Sequence, residues 1–418
     1  MFTRRWIIFG ICASLFLMSL FYRASSAIIA PDLMHDLRLT HEALGLLGAA
    51  FFYSFAVVQI PLGLVLDRIG PRITMSILNI LATAGAVVFA HAGGLTGGVI
   101  GRALLGLGMA ANLMGPLKLF TNWFDPRRFA TLSGLLLSLG TLGSLAAATP
   151  LAILVQCLGW RRAFYSLAGL NALLAVCLMG FVRDTPQGEK NPHNTALQPK
   201  SSSYRVAPVR MLFSSWSYWA ISFTAFLRYG SYASIQALWA GPFLIGFLGL
   251  SPVTAGNLLL MLSIGFIIGS PLGGVLSDQI LQSRKKAIIA GTTVAAVATV
   301  ILSQWRSTDH LAMLGALLFG LGFFNSFGQV MYAHIKELMP EEMSASAMTG
   351  VNFFTMLGGG VFIHLLGGVM EHIGAQLATP TKGYEVSFLI CSAAFFLSTV
   401  LYFTTKDPTV KRNNVEAP

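Results

Sequence analysis

The chain has 418 residues, of which 55% are hydrophobic and only 10% charged; a soluble domain carries about 25% charged residues. That balance excludes a string of ordinary soluble domains and belongs to a chain solvated mostly by lipid. The formal net charge of +11 does not point to nucleic acid, because the basic residues fall in short segments between apolar runs, where they act as orientation signals.

A helix that crosses a bilayer needs about 20 mostly apolar residues, and twelve such runs follow one another. The chain opens with Arg4 and Arg5 and then an apolar run over 7–31. This run is longer than the core of a signal peptide and reads as an uncleaved first helix. Further spans are predicted over 43–66, 73–92, 97–119, 129–156 and 162–182. A polar, Pro- and Ser-containing, basic stretch over 183–210 then reads as a flexible linker. Six more spans follow over 214–245, 253–276, 287–304, 310–335, 343–370 and 386–404. The expected organisation is a six-helix bundle over 1–182, the linker 183–210, a second bundle over 211–405 and a short tail over 406–418. The four cysteines, Cys12, Cys157, Cys177 and Cys391, sit in or beside apolar runs at no metal or disulfide spacing. They read as small packing residues.

Lys and Arg set the orientation. With the N-terminus inside, the termini, the linker and the loops after spans two, four, eight and ten hold 18 of them. The opposite loops hold five, namely Arg38, Arg161, Arg162, Arg306 and Lys382. The bias places both termini and the linker in the cytoplasm, of a bacterial inner membrane by compactness and resemblance.

The halves repeat. Gly63-Leu-Val-Leu-Asp67 recurs as Gly274-Val-Leu-Ser-Asp278, and Gly106-Leu-Gly108 as Gly320-Leu-Gly322. Two matching bundles imply a pseudo-two-fold axis along the membrane normal and a substrate site near mid-membrane between the halves. Gly63 is expected to let two helices approach closely. Asp67 can cap a helix end or pair with a base, and Arg68 and Arg72 sit at the anionic leaflet surface.

All 16 acidic residues fall in loops or at span ends, which weakens a proton relay built on intramembrane carboxylates. Buried bases are the informative residues, since a charge at mid-bilayer costs several kcal/mol unless it faces a cavity or partner. Arg23 and Arg228 lie roughly 20–25 Å along spans one and seven from the cytoplasmic end, at ~1.5 Å per residue. By the repeat they are expected to face each other. With no mid-span carboxylate to pair with, they suggest an anionic ligand held by planar guanidinium forks; tying down backbone carbonyls is the alternative role. Tyr22, Tyr229 and Tyr232 flank the arginines and can shape a cavity. Gln59, Asn112, Asn325, Gln329 and Asn352 are span residues that can contact substrate or bond between helices. Arg102 on span four is expected to gate or stabilise, and Lys118 to sit near the inner interface. His364 on span eleven is a candidate to carry a coupling proton; His334 is a weaker one.

The stretch Gly63-Leu-Val-Leu-Asp67-Arg68-Ile-Gly70-Pro-Arg72 resembles the signature after the second helix of the major facilitator superfamily, G-x-x-x-D-R-x-G-x-R. Arg102-Ala-Leu-Leu-Gly106-Leu-Gly108 resembles that superfamily's fourth-helix motif, and Gly159-Trp160-Arg161-Arg162-Ala-Phe164 its stretch before helix six. The resemblance covers about residues 5–405. It implies an all-α membrane protein with twelve helices in two six-helix bundles, and a latch at Gly63, Asp67, Arg68, Gly70, Arg72 and Asp278 in alternating access. Leu227-Arg228-Tyr229-Gly230, with Arg23 eight residues before Pro31, is similar to the organophosphate:phosphate antiporter family, and span one also to the wider anion:cation symporter family. There the arginines of helices one and seven bind the anion, so Arg23 and Arg228 carry over. The chain departs from the antiporters at Ala24, where they have a lysine, and in lacking a histidine over 129–156. Phosphate and carboxylate both stay open.

The resulting expectation is a secondary transporter of a small organic anion, either organophosphate or carboxylate, complete in one chain. An alternative is a carrier of amino acids, short peptides or other zwitterions, with proton coupling open. A non-transporting receptor on the same scaffold is a third reading. An enzyme finds no P-loop, metal cluster or nucleophile signature, and no cofactor is expected.

Overall fold

The structure, a computed structural model, describes residues 2–124, 129–186, 213–377 and 380–407. It places their side chains except at 2, 3, 64, 67, 129–131, 341–346, 374–377, 380 and 381. The described residues are almost all helical, with no strand among them. The chain divides into two compact units, Met1–Lys200 and Ser201–Pro418. Most of the expected linker lies outside the described residues.

In the first unit the helices are α1 (Phe2–Ala24), α2 (Ser26–Asp36), α3 (His41–Arg68), α4 (Pro71–His91), α5 (Leu95–Met109), α6 (Met114–Trp123), α7 (Phe129–Ala146), α8 (Thr149–Leu158) and α9 (Trp160–Phe181). They make six passes, because α1 and α2, α5 and α6, and α7 and α8 are each one span broken in the middle. In the second unit, α10 (Trp216–Ser234) runs on through two π-helical turns, Ile235–Trp239 and Phe243–Phe247. After it come α11 (Pro252–Val275), α12 (Arg284–Ser303), α13 (Leu311–Ser326), α14 (Val330–Leu338), α15 (Glu341–Leu377) and α16 (Pro380–Phe403). A 3₁₀ turn, Phe327–Gln329, joins α13 and α14 into one span. Among the described residues ten helices are long and apolar enough to cross a membrane, and an eleventh if the bent pair α7 and α8 counts as one. The remaining pass, span seven, is the one that carries Arg228 among several serines and tyrosines.

Local sequence explains where helices start. Thr40, Ser251 and Ser283 are N-caps whose hydroxyls accept from the backbone N–H groups of Ala43, Thr254 and Lys286. Gly70 and Gly159 turn the chain at φ +92° and +78°, conformations that favour glycine.

Small residues let the spans touch backbone to backbone. A Cβ on Gly106 would strike the carbonyl of Phe51, so spans two and four are in contact there. Gly322 meets the carbonyl of Leu262 in the same way, joining spans eight and ten. Gly143 against Leu17 joins spans one and five, and Gly358 against Phe226 joins spans seven and eleven. The two units thus share one pattern of helix pairing. Gly63 does not belong to it: a Cβ there would meet nothing within 4 Å, and neither would one on Gly274. The expected close approach at Gly63 is corrected to an exposed position facing away from its own unit's helices.

Candidate functional site

Lipid offers a backbone no hydrogen bonds, so every carbonyl freed at a helix break must be satisfied from within the protein. The polar residues of both units gather at these breaks.

In the first unit span one breaks at Ser25, between α1 and α2. The Tyr22 carbonyl at the break accepts from Arg102 Nη1 at 2.8 Å and from the Ser25 hydroxyl at 3.1 Å. Arg102 is 1% exposed and its guanidinium lies over the Phe51 ring, 5.1 Å from the centroid. Its Nε and the Tyr22 hydroxyl are buried with no hydrogen-bond partner among the described residues. Arg23, the next residue, is half-buried and lies over the Phe55 ring at 5.0 Å. Span four breaks between α5 and α6. There Ser19 donates to the Met109 carbonyl and Gln59 to that of Ala110, each at 3.4 Å. Asn112 is fully buried and exchanges side-chain bonds with Asn79 at 2.9 and 3.1 Å, while also donating to Leu15 O. Asn171 Nδ2 donates to Asn79 O at 2.9 Å. Gln59 and Asn112 therefore knit helices together in this unit, and Asn79 and Asn171, which sequence reasoning passed over, complete the network. Their signal was the same as that of Asn112, an amide inside an apolar run.

At the turn between spans two and three, Asp184 Oδ1 accepts from the backbone N–H of Arg72 at 2.8 Å, capping the start of span three. Arg72 Nη2 donates to Met179 O at 2.5 Å. A Cβ on Gly70 would crowd the Asp184 carboxylate. Arg68 is exposed, and the Asp67 side chain lies outside the described residues. Lys118 Nζ donates to Leu66 O at 3.0 Å. On the other side, Trp160 donates to Asp36 Oδ2 at 2.9 Å. This bond, with His35 beside it, holds the Asp36 carboxyl, at the end of α2, below its ordinary range.

In the second unit span ten breaks at the 3₁₀ turn after Ser326. Arg228 Nη1 donates to both oxygens of Asn325, the carbonyl at 2.8 Å and Oδ1 at 2.9 Å. Arg228 and Asn325 are 2% and 1% exposed. The guanidinium lies directly on Gly328, where a Cβ would collide with it. Arg228 Nε, Asn325 Nδ2 and the Tyr232 hydroxyl are buried with no hydrogen-bond partner among the described residues. Tyr232 follows Arg228 by one helical turn and shares its face. Arg228 and Asn325 are thus brought together as neighbours. Tyr229, Gln329 and His364 are half-buried, and Asn352 Oδ1 accepts from the Tyr332 hydroxyl at 3.1 Å. His334 Nε2 donates to the Lys406 carbonyl at 2.8 Å, so its Nδ1 accepts from Tyr402 at 2.6 Å. Arg284 pairs with Asp278 and, at 2.9 Å, with Glu337.

Within each unit, Arg23 and Arg228 stand at different distances along the chain from the glycine contact of their own span. Counted from the carbonyl that meets the neighbouring glycine, Arg23 follows Leu17 by six residues and Arg228 follows Phe226 by two. The difference of four residues is about one turn.

Known proteins share this architecture. A D-xylose–proton symporter superposes with a TM-score of 0.77 at 16% identity, covering 97% of this chain and 98% of that one. A bacterial homologue of the human lysosomal transporter Spinster, inward-facing and unoccupied, gives 0.77 at 16%, covering 96% of each. In sequence, the "Probable sulfoacetate transporter" of Cupriavidus necator is 26% identical over 66% of both chains. The "Hexuronate transporter" of Bacillus subtilis is 23% identical over 84% of this chain and 85% of its own length. The "Probable hexose phosphate transport protein" of Chlamydia pneumoniae is 22% identical, with 97% and 92% covered. The family model of the Major Facilitator Superfamily matches residues 11–238 and 221–418. This multi-pass membrane protein, a transporter and not an enzyme, belongs to the Major Facilitator Superfamily.

Proposed function

We propose that the chain is a secondary transporter of a small organic anion, a carboxylate, sulfonate or phosphate, with Arg228 as the guanidinium that takes the anionic group. Arg23 is the first unit's candidate for the same task. One observation carries the reading: Arg228 Nε and the Tyr232 hydroxyl, one helical turn apart, are buried and have no hydrogen-bond partner among the described residues, in a chain with no carboxylate at mid-span. Buried donors left unsatisfied cost about 1–3 kcal/mol each, and an anion offers the acceptors they lack. The names of the relatives, sulfoacetate, hexuronate and hexose phosphate, agree in charge and differ in the anionic group. The distribution of Lys and Arg supports cytoplasmic termini.

The test is uptake into liposomes holding only this protein, with D-glucuronate, glucose 6-phosphate and sulfoacetate offered separately. At least one is expected to enter saturably. Arg228→Gln is expected to lower kcat/KM for it by 100-fold or more, since a bidentate charge-assisted pair is lost. Normal transport of that anion by both Arg228→Gln and Arg23→Gln refutes the assignment, and transport of neutral amino acids alone refutes the substrate class.

A further inference from the structure

The guanidinium of Arg228 has a defined orientation, held by its contacts with Asn325 and Gly328. A guanidinium presents several edges, and an anion with two adjacent oxygens can take one of them through two parallel bonds. In Arg228 the Nη1 corner is already occupied, because Asn325 receives it twice, through its carbonyl and through Oδ1. The amide orientation is forced, since a guanidinium only donates and the atom facing it must be an oxygen. Nδ2 of Asn325 is thereby turned away from Arg228, and it is one of the buried atoms without a partner. Gly328 supplies the floor: any side chain at this position would occupy the space of Cζ, Nε and Nη1. What stays available is the edge that contains Nε, which is buried and has no partner among the described residues.

We infer that Asn325 and Gly328 are positioning residues that pin Arg228 so that its Nε edge, and not its Nη1 corner, meets the transported anion. The inference rests on the proposed role of Arg228 as the anion's partner. The 3₁₀ turn after Ser326 makes the seat possible. It interrupts the regular helical ladder just after Asn325, and Gly328 within it lies against the guanidinium. A lysine in place of Arg228 has no edges, so an Asn325 that acts through the arginine loses its influence once lysine stands there.

That dependence is the test. Equilibrium binding of D-glucuronate, glucose 6-phosphate and sulfoacetate is measured for the full-length protein in detergent, by calorimetry, in wild type, Asn325→Leu, Arg228→Lys and the double variant. Asn325→Leu keeps the size and the backbone acceptor but removes the Oδ1 that holds Nη1. It is expected to weaken binding of the anions that bind wild type at least tenfold. In the Arg228→Lys background the same change is expected to alter affinity less than twofold. A tenfold loss in both backgrounds means that Asn325 acts independently of Arg228 and overturns the inference. Gly328→Ala provides a second reading that does not depend on charge. By displacing the guanidinium it is expected to change the ratio of carboxylate to phosphate affinity at least fivefold, whereas equal affinity losses for all three probes overturn the role of Gly328. Wild-type affinity in Arg228→Gln, or binding of none of the probes by wild type, defeats the underlying reading instead.

Discussion

In the first unit the guanidinium comes from span four and the carbonyl it holds from span one; in the second, the guanidinium comes from span seven and the carbonyl from span ten. The repeat makes spans one and seven equivalent, and likewise spans four and ten. Both units therefore tie the same pair of helices together at a break, with donor and acceptor exchanged. The exchange divides labour differently. Arg102 repairs the break at Tyr22 while its neighbour in space, Arg23, is a separate residue facing Phe55. Arg228 performs the repair and, in the proposed reading, also holds the anion. A broken transmembrane helix exposes carbonyls that lipid cannot satisfy, and a buried arginine with five donors can serve one of them and keep others for a ligand.

The shared frame beneath this difference is the pair of glycine contacts between spans two and four and spans eight and ten, and the largest expected effect comes from breaking it. Gly106→Ala and Gly322→Ala each drive a methyl into a backbone carbonyl of the facing helix. The helices must separate, at a cost of about 2–3 kcal/mol by the usual scale of overpacking. A clear drop in melting temperature is expected for both, measured in detergent. Gly320→Ala, where a Cβ meets nothing within 4 Å, is the control, expected to be neutral or slightly stabilising because alanine favours helix by up to ~1 kcal/mol. If Gly320→Ala is the damaging change and Gly322→Ala the harmless one, the pairing of the two units described here is out of register.

That prediction also marks how far the sequence could be read. The apolar runs and the motif after span two sufficed for twelve helices in two bundles, because a span's length and polarity are imposed by the bilayer itself. Arg23, Arg102 and Arg228 stood out for the same reason. Their partners did not, because they are backbone carbonyls whose exposure depends on where a helix breaks. Span one carries Pro31, yet it breaks at Ser25, six residues earlier. Aligning Gly106-Leu-Gly108 with Gly320-Leu-Gly322 pairs Gly106 with Gly320, whereas the backbone contact falls on Gly322. A shift of two residues is about 200° around a helix and cannot be seen in a repeat of small residues. Gly328 gave no signal, since glycine is abundant here, 43 residues of 418, and only the guanidinium lying on it marks it out. Asp184 was hidden among the residues after the sixth span and gains its role from the turn at Gly70.

A smaller effect separates the two arginine ties. Arg102→Met removes the donor at 2.8 Å from Tyr22 O but also removes a buried charge, so the loss is expected to be about 1–2 kcal/mol, the lower part of the range for a charged hydrogen bond. Anion affinity in the folded fraction is expected to stay within about threefold of wild type, near 0.6 kcal/mol at RT ≈ 0.59 kcal/mol. Arg228→Met is expected to show the opposite balance, with affinity falling much further than melting temperature. If Arg102→Met abolishes binding while the protein remains folded, the division of labour between Arg102 and Arg23 is wrong.

The faces opposite the Gly70 turn and the Asp278 pair supply the finest contrast. In the second unit Glu385 Oε2 meets Arg306 at 3.0 Å and Lys382 at 3.1 Å, an ionic tie that salt screens. In the first unit the comparable tie is neutral on one side, the Trp160 indole donating to Asp36. That bond, followed by His35, lowers the folded-state pKa of Asp36. A lowered carboxyl contributes stability that is fully present above its unfolded value, about 3.9, and is lost as pH falls through the lower folded value. Trp160→Phe should therefore lower the melting temperature by a constant amount between neutral pH and pH 5, and differ from wild type by less below pH 3. The Asp36 side chain is 38% exposed, so solvent screening holds the whole effect under about 1 kcal/mol. Glu385→Gln is expected to lower the melting temperature slightly at low salt and hardly at all at about 1 M, where the Debye length falls to ~3 Å. If Trp160→Phe proves as salt-sensitive as Glu385→Gln, both faces are held by charge, and the neutral donor at Asp36 is only a bystander.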